Sequence, residues 1–66
     1  MKYTVQVHGI EESETTFDND AEGMAFVDAI IDRAVESRIH TQIDVWDENW
    51  KYACGWTVKV DGSVRI

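Results

Sequence analysis

The sequence predicts a two-layer α+β domain in which an antiparallel β-sheet of four or five strands packs on one α-helix. Segments in which apolar and polar residues alternate stand on both sides of a single segment whose apolar residues have helical spacing. A sheet and a helix that each have one apolar face can bury those faces against each other. We treat residues 1–66 as one domain, near the lower limit of length for a stable core.

The N-terminal quarter of the chain predicts a β-hairpin. KYTVQVH, residues 2–8, has an apolar side chain at every second position, which is typical of a half-buried strand. EESE, residues 11–14, interrupts this alternation, and TTF, residues 15–17, is a short run of β-prone residues. We therefore predict a hairpin over residues 2–17 with an acidic connection.

The period of the apolar residues becomes helical after Asn19. Asn19 is a suitable N-cap, and Glu22 follows three residues later, as in a capping box. The sequence therefore predicts a helix from about Asp20 to Ser37. One of its faces is apolar and must be buried, and it consists of Met24, Phe26, Val27, Ile30, Ile31, Ala34 and Val35.

The C-terminal segment alternates again and predicts further strands. HTQIDVW, residues 40–46, is one strand, and residues 50–60 form the longest alternating run of the chain. Gly55 within that run indicates a bulge or a break. The dipeptide DG indicates a turn before a short final strand in SVRI, residues 63–66.

The alternation also assigns the three tryptophans to faces of the sheet. Trp50 and Trp56 share the phase of Tyr52, Val58 and other core-facing residues, so we expect both tryptophans in the core. Trp46 shares a face with polar residues, and we expect it to be the most exposed tryptophan.

The segment from Asp18 to Gly23 matches the first half of an EF-hand calcium loop. Asp18, Asp20 and Glu22 occupy the first, third and fifth positions, but Ala29 stands where the loop needs a bidentate glutamate. The helical period also begins inside the loop. We therefore interpret the segment as a capped helix start and predict no cofactor, which leaves a cation-binding module as the least favoured of three functions.

The net charge of −7 is concentrated in the first half of the chain, which has no lysine or arginine between Lys2 and Arg33. Such a surface disfavours nucleic acid and membranes as direct ligands and favours a basic protein partner. In the alternative interpretation, the acids serve solubility only.

The predicted helix carries Asp28, Asp32 and Glu36 at spacings of four residues, so they form one stripe. Like charges at this spacing destabilise a helix by about 0.2–0.5 kcal/mol per pair, and a basic partner would offset that penalty. The stripe spans about 12 Å with three charges, whereas duplex DNA carries about seven over that length. Further partner-binding candidates are therefore Glu11, Glu12, Glu14, Trp46, Asp47 and Glu48.

Catalytic residue types are sparse, and we predict that the chain is not an enzyme. His8, His40 and Cys54 are the only candidate bases or nucleophiles apart from carboxylates and hydroxyls, and strand phase separates the cysteine from both histidines. A single cysteine forms no intramolecular disulfide, and no segment is typical of a signal peptide or a membrane span. We expect a protein of the reducing cytoplasm.

In size, in the order of its strands and helix, and in its excess of acid, the chain resembles the small anti-CRISPR proteins encoded by bacteriophages. The acid-only tract from Glu11 to Asp32 and the stripe ending at Glu36 carry this resemblance. It implies a DNA mimic whose carboxylates meet the lysines and arginines that hold target DNA on a CRISPR effector, inside an infected bacterium. The alternative is a small accessory or structural domain that homodimerises through its exposed sheet face.

Overall fold

In the computed structural model, which describes residues 2–66, one helix lies against one face of an antiparallel sheet. The elements are β1 (Tyr3–His8), β2 (Glu12–Phe17), α1 (Asp20–Ser37), β3 (Thr41–Asp47), β4 (Tyr52–Val58) and β5 (Val64–Arg65). The order of the strands in the sheet is β2-β1-β3-β4-β5. The predicted two-layer α+β fold is confirmed.

The core lies between α1 and the two central strands, β1 and β3. These strands have a neighbour on each side and the helix above them, so their inward side chains lose almost all contact with water. The buried cluster consists of Val5, Val7, Val27, Ile30, Ile43 and Val45. Phe17 and Phe26 extend the core towards β2, with ring centroids 5.2 Å apart.

Residues next to both ends of α1 cap the helix. Asn19 Oδ1 accepts a hydrogen bond from the backbone N–H of Glu22 at 2.8 Å, so the helix begins at Asp20 as predicted. At the other end Arg38 adopts the left-handed conformation, with φ 55°. This conformation lets the N–H of Ile39 reach the carbonyl of Ala34 at 3.2 Å, which ends the helix.

The connection between β1 and β2 is shorter than the sequence indicated. Glu12 and Glu14 lie within β2, where they pair with His8 and Gln6 of β1, and the acidic connection is confined to residues 9–11. The prediction failed because β2 is an edge strand with one solvated face, where glutamates are as well tolerated as in a loop.

Two aromatic residues of the C-terminal half lie outside the core, contrary to prediction. The register of β3 with β4 shifts next to Trp46, so that Tyr52 pairs with Trp46 on the face of the sheet opposite α1, here called the open face. Trp50 lies in the turn before β4 and is 57% exposed, whereas Trp46 is half-buried, so the prediction that Trp46 is the most exposed tryptophan was wrong. The prediction for Trp56 is confirmed, because it packs against the core.

Two glycines provide a matched test of this fold. Gly9 has φ 140°, and an added Cβ would collide with the carbonyl oxygen of His40. We predict that Gly9→Ala lowers the free energy of unfolding by about 1–3 kcal/mol. In α1, the nearest neighbour of a Cβ added at Gly23 would be the Phe17 side chain, at an ordinary contact distance of 3.7 Å. Gly23→Ala should therefore raise the free energy of unfolding by about 0.5–1 kcal/mol.

Urea unfolding followed by tryptophan fluorescence measures both effects. A Gly9→Ala variant as stable as the wild type would contradict the observed path of the connection between β1 and β2.

Candidate partner-binding surfaces

The outward face of α1 carries Asp28, Asp32 and Glu36, here called the acidic stripe. All three side chains are exposed, and the buried residues of the helix lie on its opposite side. Within residues 2–66 the only ion pairs join His8 to Glu12 and Arg33 to Glu11. Within these residues, no carboxylate of the acidic stripe therefore forms an ion pair.

Glu11, another candidate, is already engaged by the flank of the helix. Its Oε1 accepts a hydrogen bond from Arg33 Nη1 at 2.8 Å. The nearby Ser13 hydroxyl and the Arg33 guanidinium lower the pKa of Glu11. The carboxylate thus ties the β1–β2 connection to α1, and it contributes little free negative charge to a partner.

Glu12 and Glu14 point away from α1, on the open face. Glu14 Oε1 accepts a hydrogen bond from Gln6 Nε2 at 2.9 Å, and Glu12 Oε2 accepts one from His8 Nδ1 at 2.7 Å. This face and the acidic stripe lie on opposite sides of the molecule, with the sheet and the helix between them. The structure therefore does not bring the two groups of acids together on one surface.

The turn between β3 and β4 contains the candidates Asp47 and Glu48. Asp47 Oδ1 accepts hydrogen bonds from the backbone N–H groups of Asn49 and Lys51, at 2.8 and 2.9 Å. Asp47 therefore holds the turn in shape, and Glu48 is the exposed carboxylate of the pair.

Trp46, Trp50 and Tyr52 form an aromatic cluster on the open face beside this turn. The ring centroid of Trp46 lies 6.4 Å from that of Trp50 and 5.3 Å from that of Tyr52, the latter at an edge-to-face angle of 79°. Trp46 Nε1 donates a hydrogen bond to Gln6 Oε1 at 2.8 Å. The alternation of the sequence predicts Trp46 on this face, but it places Trp50 and Tyr52 in the core.

Gly55 is the residue that could have revealed the cluster. It lies on the open face opposite Asp44, and a Cβ added there would collide with the Tyr52 hydroxyl and lie 2.8 Å from the carbonyl oxygen of Ile43. The missing side chain leaves room for the Tyr52 phenol, which lies beside Asp44. Partial burial and the charge of Asp44 raise the pKa of Tyr52.

A second surface feature is an apolar groove of about 190 Å³ beside the N-terminal turns of α1. It is lined by Tyr3, Val5, Asp20, Gly23, Met24, Val45, Ala53 and Cys54. The groove exists because α1 crosses the sheet diagonally, from the end of β2 towards the β4–β5 turn, where Val35 lies beside Gly62. One corner of the inner sheet face is thus left uncovered.

The charges are spread around a short rod. The Cα trace measures 34 × 19 × 19 Å, and acids project from both layers. Duplex DNA of this length carries about 20 charges, so a net charge of −7 corresponds to about one third of that density.

The described part of the chain, residues 2–66, contains no group of three or more His, Cys, Asp or Glu side chains placed to hold a metal ion. Its one helix is too polar to cross a lipid bilayer. No protein-family model, curated protein or solved structure matches the chain.

The acidic stripe should be a source of helix instability. Asp32 has a like charge four residues away in both directions, so Asp32→Gln removes two repulsive pairs and introduces a better helix former. We predict that this substitution raises the free energy of unfolding by roughly 0.5–1 kcal/mol. The gain in stability should shrink in 1 M salt, because the Debye length falls to about 3 Å and the salt screens the repulsion between the carboxylates. Urea titrations at low and high salt measure it, and an unchanged or lower stability would show that the repulsion is absent.

The thiol of Cys54 should react slowly. Burial raises the pKa of Cys54, so less of the reactive thiolate is present at a given pH than in an unfolded chain. We predict that iodoacetamide alkylates Cys54 more slowly at pH 8 in the native protein than in urea. Mass spectrometry of samples taken over time measures the two rates. Equal rates in the two conditions would contradict the packing of this residue against the core.

Proposed function

We propose that the protein is an acidic inhibitor that binds a basic, nucleic-acid-binding surface of another protein. The acidic stripe is the observation that carries this proposal. Three exposed carboxylates stand on one helix face, none of them in an ion pair within residues 2–66, at a spacing that destabilises the free helix. Lysines and arginines of a partner would both neutralise the stripe and remove that repulsion.

The shape of the molecule supports the same proposal. With a cross-section of 19 × 19 Å and acids on both layers, the molecule presents negative charge in opposite directions, as the two strands of a duplex do. A positively charged cleft that surrounds nucleic acid would meet carboxylates on either wall. Since the charge density is about one third of that of DNA, contacts other than ion pairs must supply part of the affinity.

A CRISPR effector is the target that the resemblance to anti-CRISPR proteins implies. Effectors of this kind hold nucleic acid in a positively charged channel and contact its backbone without reading its sequence. A compact acidic protein in that channel would exclude target DNA by occupying the same lysines and arginines. Inhibition would therefore be competitive with DNA.

A homodimeric accessory domain is the second candidate, and the exposed Trp50 and Tyr52 are the observation that favours it. The net charge of −7 on each copy opposes this association. Sedimentation equilibrium separates the two candidates, since a dimer that is lost on substitution of Trp46 would support the accessory domain.

Competition for target DNA tests the inhibitor proposal. We expect the protein to displace labelled target DNA from at least one effector in a panel of purified CRISPR effector complexes, and to do so less well as salt rises. Simultaneous Asp28→Lys, Asp32→Lys and Glu36→Lys should weaken displacement by roughly 100-fold or more, because three attractive contacts become repulsive.

Two further variants control this experiment. The isosteric set Asp28→Asn, Asp32→Asn and Glu36→Gln should keep the fold, shown by circular dichroism, and lose less activity than the reversed set. The set Glu12→Lys, Glu14→Lys and Glu48→Lys makes the same change of charge on the open face and shows whether a partner contacts both layers. If the variant with three lysines in the stripe folds and still displaces DNA fully, the stripe is not the binding site. If the wild-type protein displaces DNA from no effector in the panel, a CRISPR effector is not the target.

A further inference from the structure

Trp50 is held in a backbone conformation that bulky residues seldom adopt. Its φ is 60°, in the left-handed region. The turn that imposes this conformation is fixed by Asp47, whose backbone carbonyl accepts a hydrogen bond from Trp50 N–H at 3.0 Å and whose backbone N–H donates one to the carbonyl of Lys51 at 2.9 Å. The result is an indole that projects from the surface and is 57% exposed.

A second irregularity brings Tyr52 to the same place. Because β3 pairs Val45 with Cys54 but Trp46 with Tyr52, Ala53 is the extra residue of a bulge, and Tyr52 faces the open side of the sheet. Gly55 leaves space for its phenol. Two local departures from regular structure therefore assemble one aromatic cluster.

Contacts within the protein hold two rings of the cluster in place. The hydrogen bond from Trp46 Nε1 to Gln6 fixes the central ring, and the edge-to-face contact with Tyr52 fixes a second ring. The Tyr52 phenol lies in the space that Gly55 leaves beside Asp44. Large side chains that are already ordered bind a partner with little further loss of conformational entropy.

The charges around the cluster select the chemistry of its occupant. Asp44 lies beside the Tyr52 phenol, and Glu48 is exposed in the turn that carries Trp50. Aromatic faces attract cations, and the planar guanidinium of arginine stacks on them better than a lysine ammonium does. A second copy of this chain is disfavoured as occupant, since its net charge is also −7.

We propose that the aromatic cluster is an arginine-binding site that anchors the protein to the basic surface of its partner. This inference rests on the proposed function and adds a specific contact to it. The acids attract any basic surface, whereas Trp50 and Tyr52 discriminate in favour of a surface that offers an arginine beside the carboxylates.

Binding of labelled peptides tests the site directly. The probes are two fluorescein-labelled peptides in which glycine alternates with arginine or with lysine, and fluorescence anisotropy gives their dissociation constants. We expect the arginine peptide to bind the wild-type protein about two- to fivefold more tightly than the lysine peptide. Trp50→Asn removes the indole while keeping a residue that tolerates positive φ, and it should abolish this preference.

Met24→Ala is the matched control, because Met24 is an exposed apolar side chain, 45% accessible, in the groove of the opposite layer. It should keep the preference for arginine. Equal affinity of the wild-type protein for the two peptides, or a preference that survives in Trp50→Asn, would overturn the proposal. A dimer that disperses in Trp50→Asn would overturn it as well, since the occupant would then be a second copy.

The displacement assay separates this inference from the function on which it rests. If both are right, Trp50→Asn weakens displacement of DNA without changing the dependence of the affinity on salt, whereas the amide-substituted stripe lowers that dependence. If only the stripe variants lose activity, the arginine site is excluded and the inhibitor function stands. If neither variant loses activity, both the stripe and the arginine site are excluded as contacts. If the wild-type protein displaces no DNA from any effector, the proposed function fails and the arginine peptide alone tests the site.

Discussion

The contact between α1 and the two central strands is the interaction on which the rest of the molecule depends. Val27 and Ile30 of the helix cover Val5 and Ile43 of the sheet, and a chain of 66 residues has too little apolar surface for a second core of this size. Every residue that this contact does not enclose must remain at the surface. The acids and the aromatic cluster therefore lie on the outside of one small core, where a partner can reach them.

The features that depend on a local rule could be predicted from the sequence. The cap at Asn19 and the helical period gave both ends of α1, and the same period placed the acidic stripe on the exposed side. The position of Tyr52 could not be predicted, because one extra residue in β4 moves the residues before it to the other face. The exposure of Trp50 could not be predicted for a related reason, since it depends on hydrogen bonds to Asp47 across a turn.

The distribution of the acids over two layers could not be predicted from the sequence either. Glu12 and Glu14 precede the helix by only a few residues, yet they lie on the face of the sheet that α1 does not cover. Two kinds of contact are consequently available to a partner. In the proposed complex, charge on both layers would act over a Debye length and govern approach. The aromatic cluster would act only in contact and govern how long the complex persists.

The position of β2 at the border of the sheet has a consequence for the free protein. An unpaired strand edge of six residues, without proline, is a template on which a second copy could add its own β2 and begin an aggregate. Pairing two such edges would bring glutamates of one copy against glutamates of the other, and like charges on facing strands repel. The charges of Glu12 and Glu14 thus disfavour association of two copies at this edge, whether or not any partner is present.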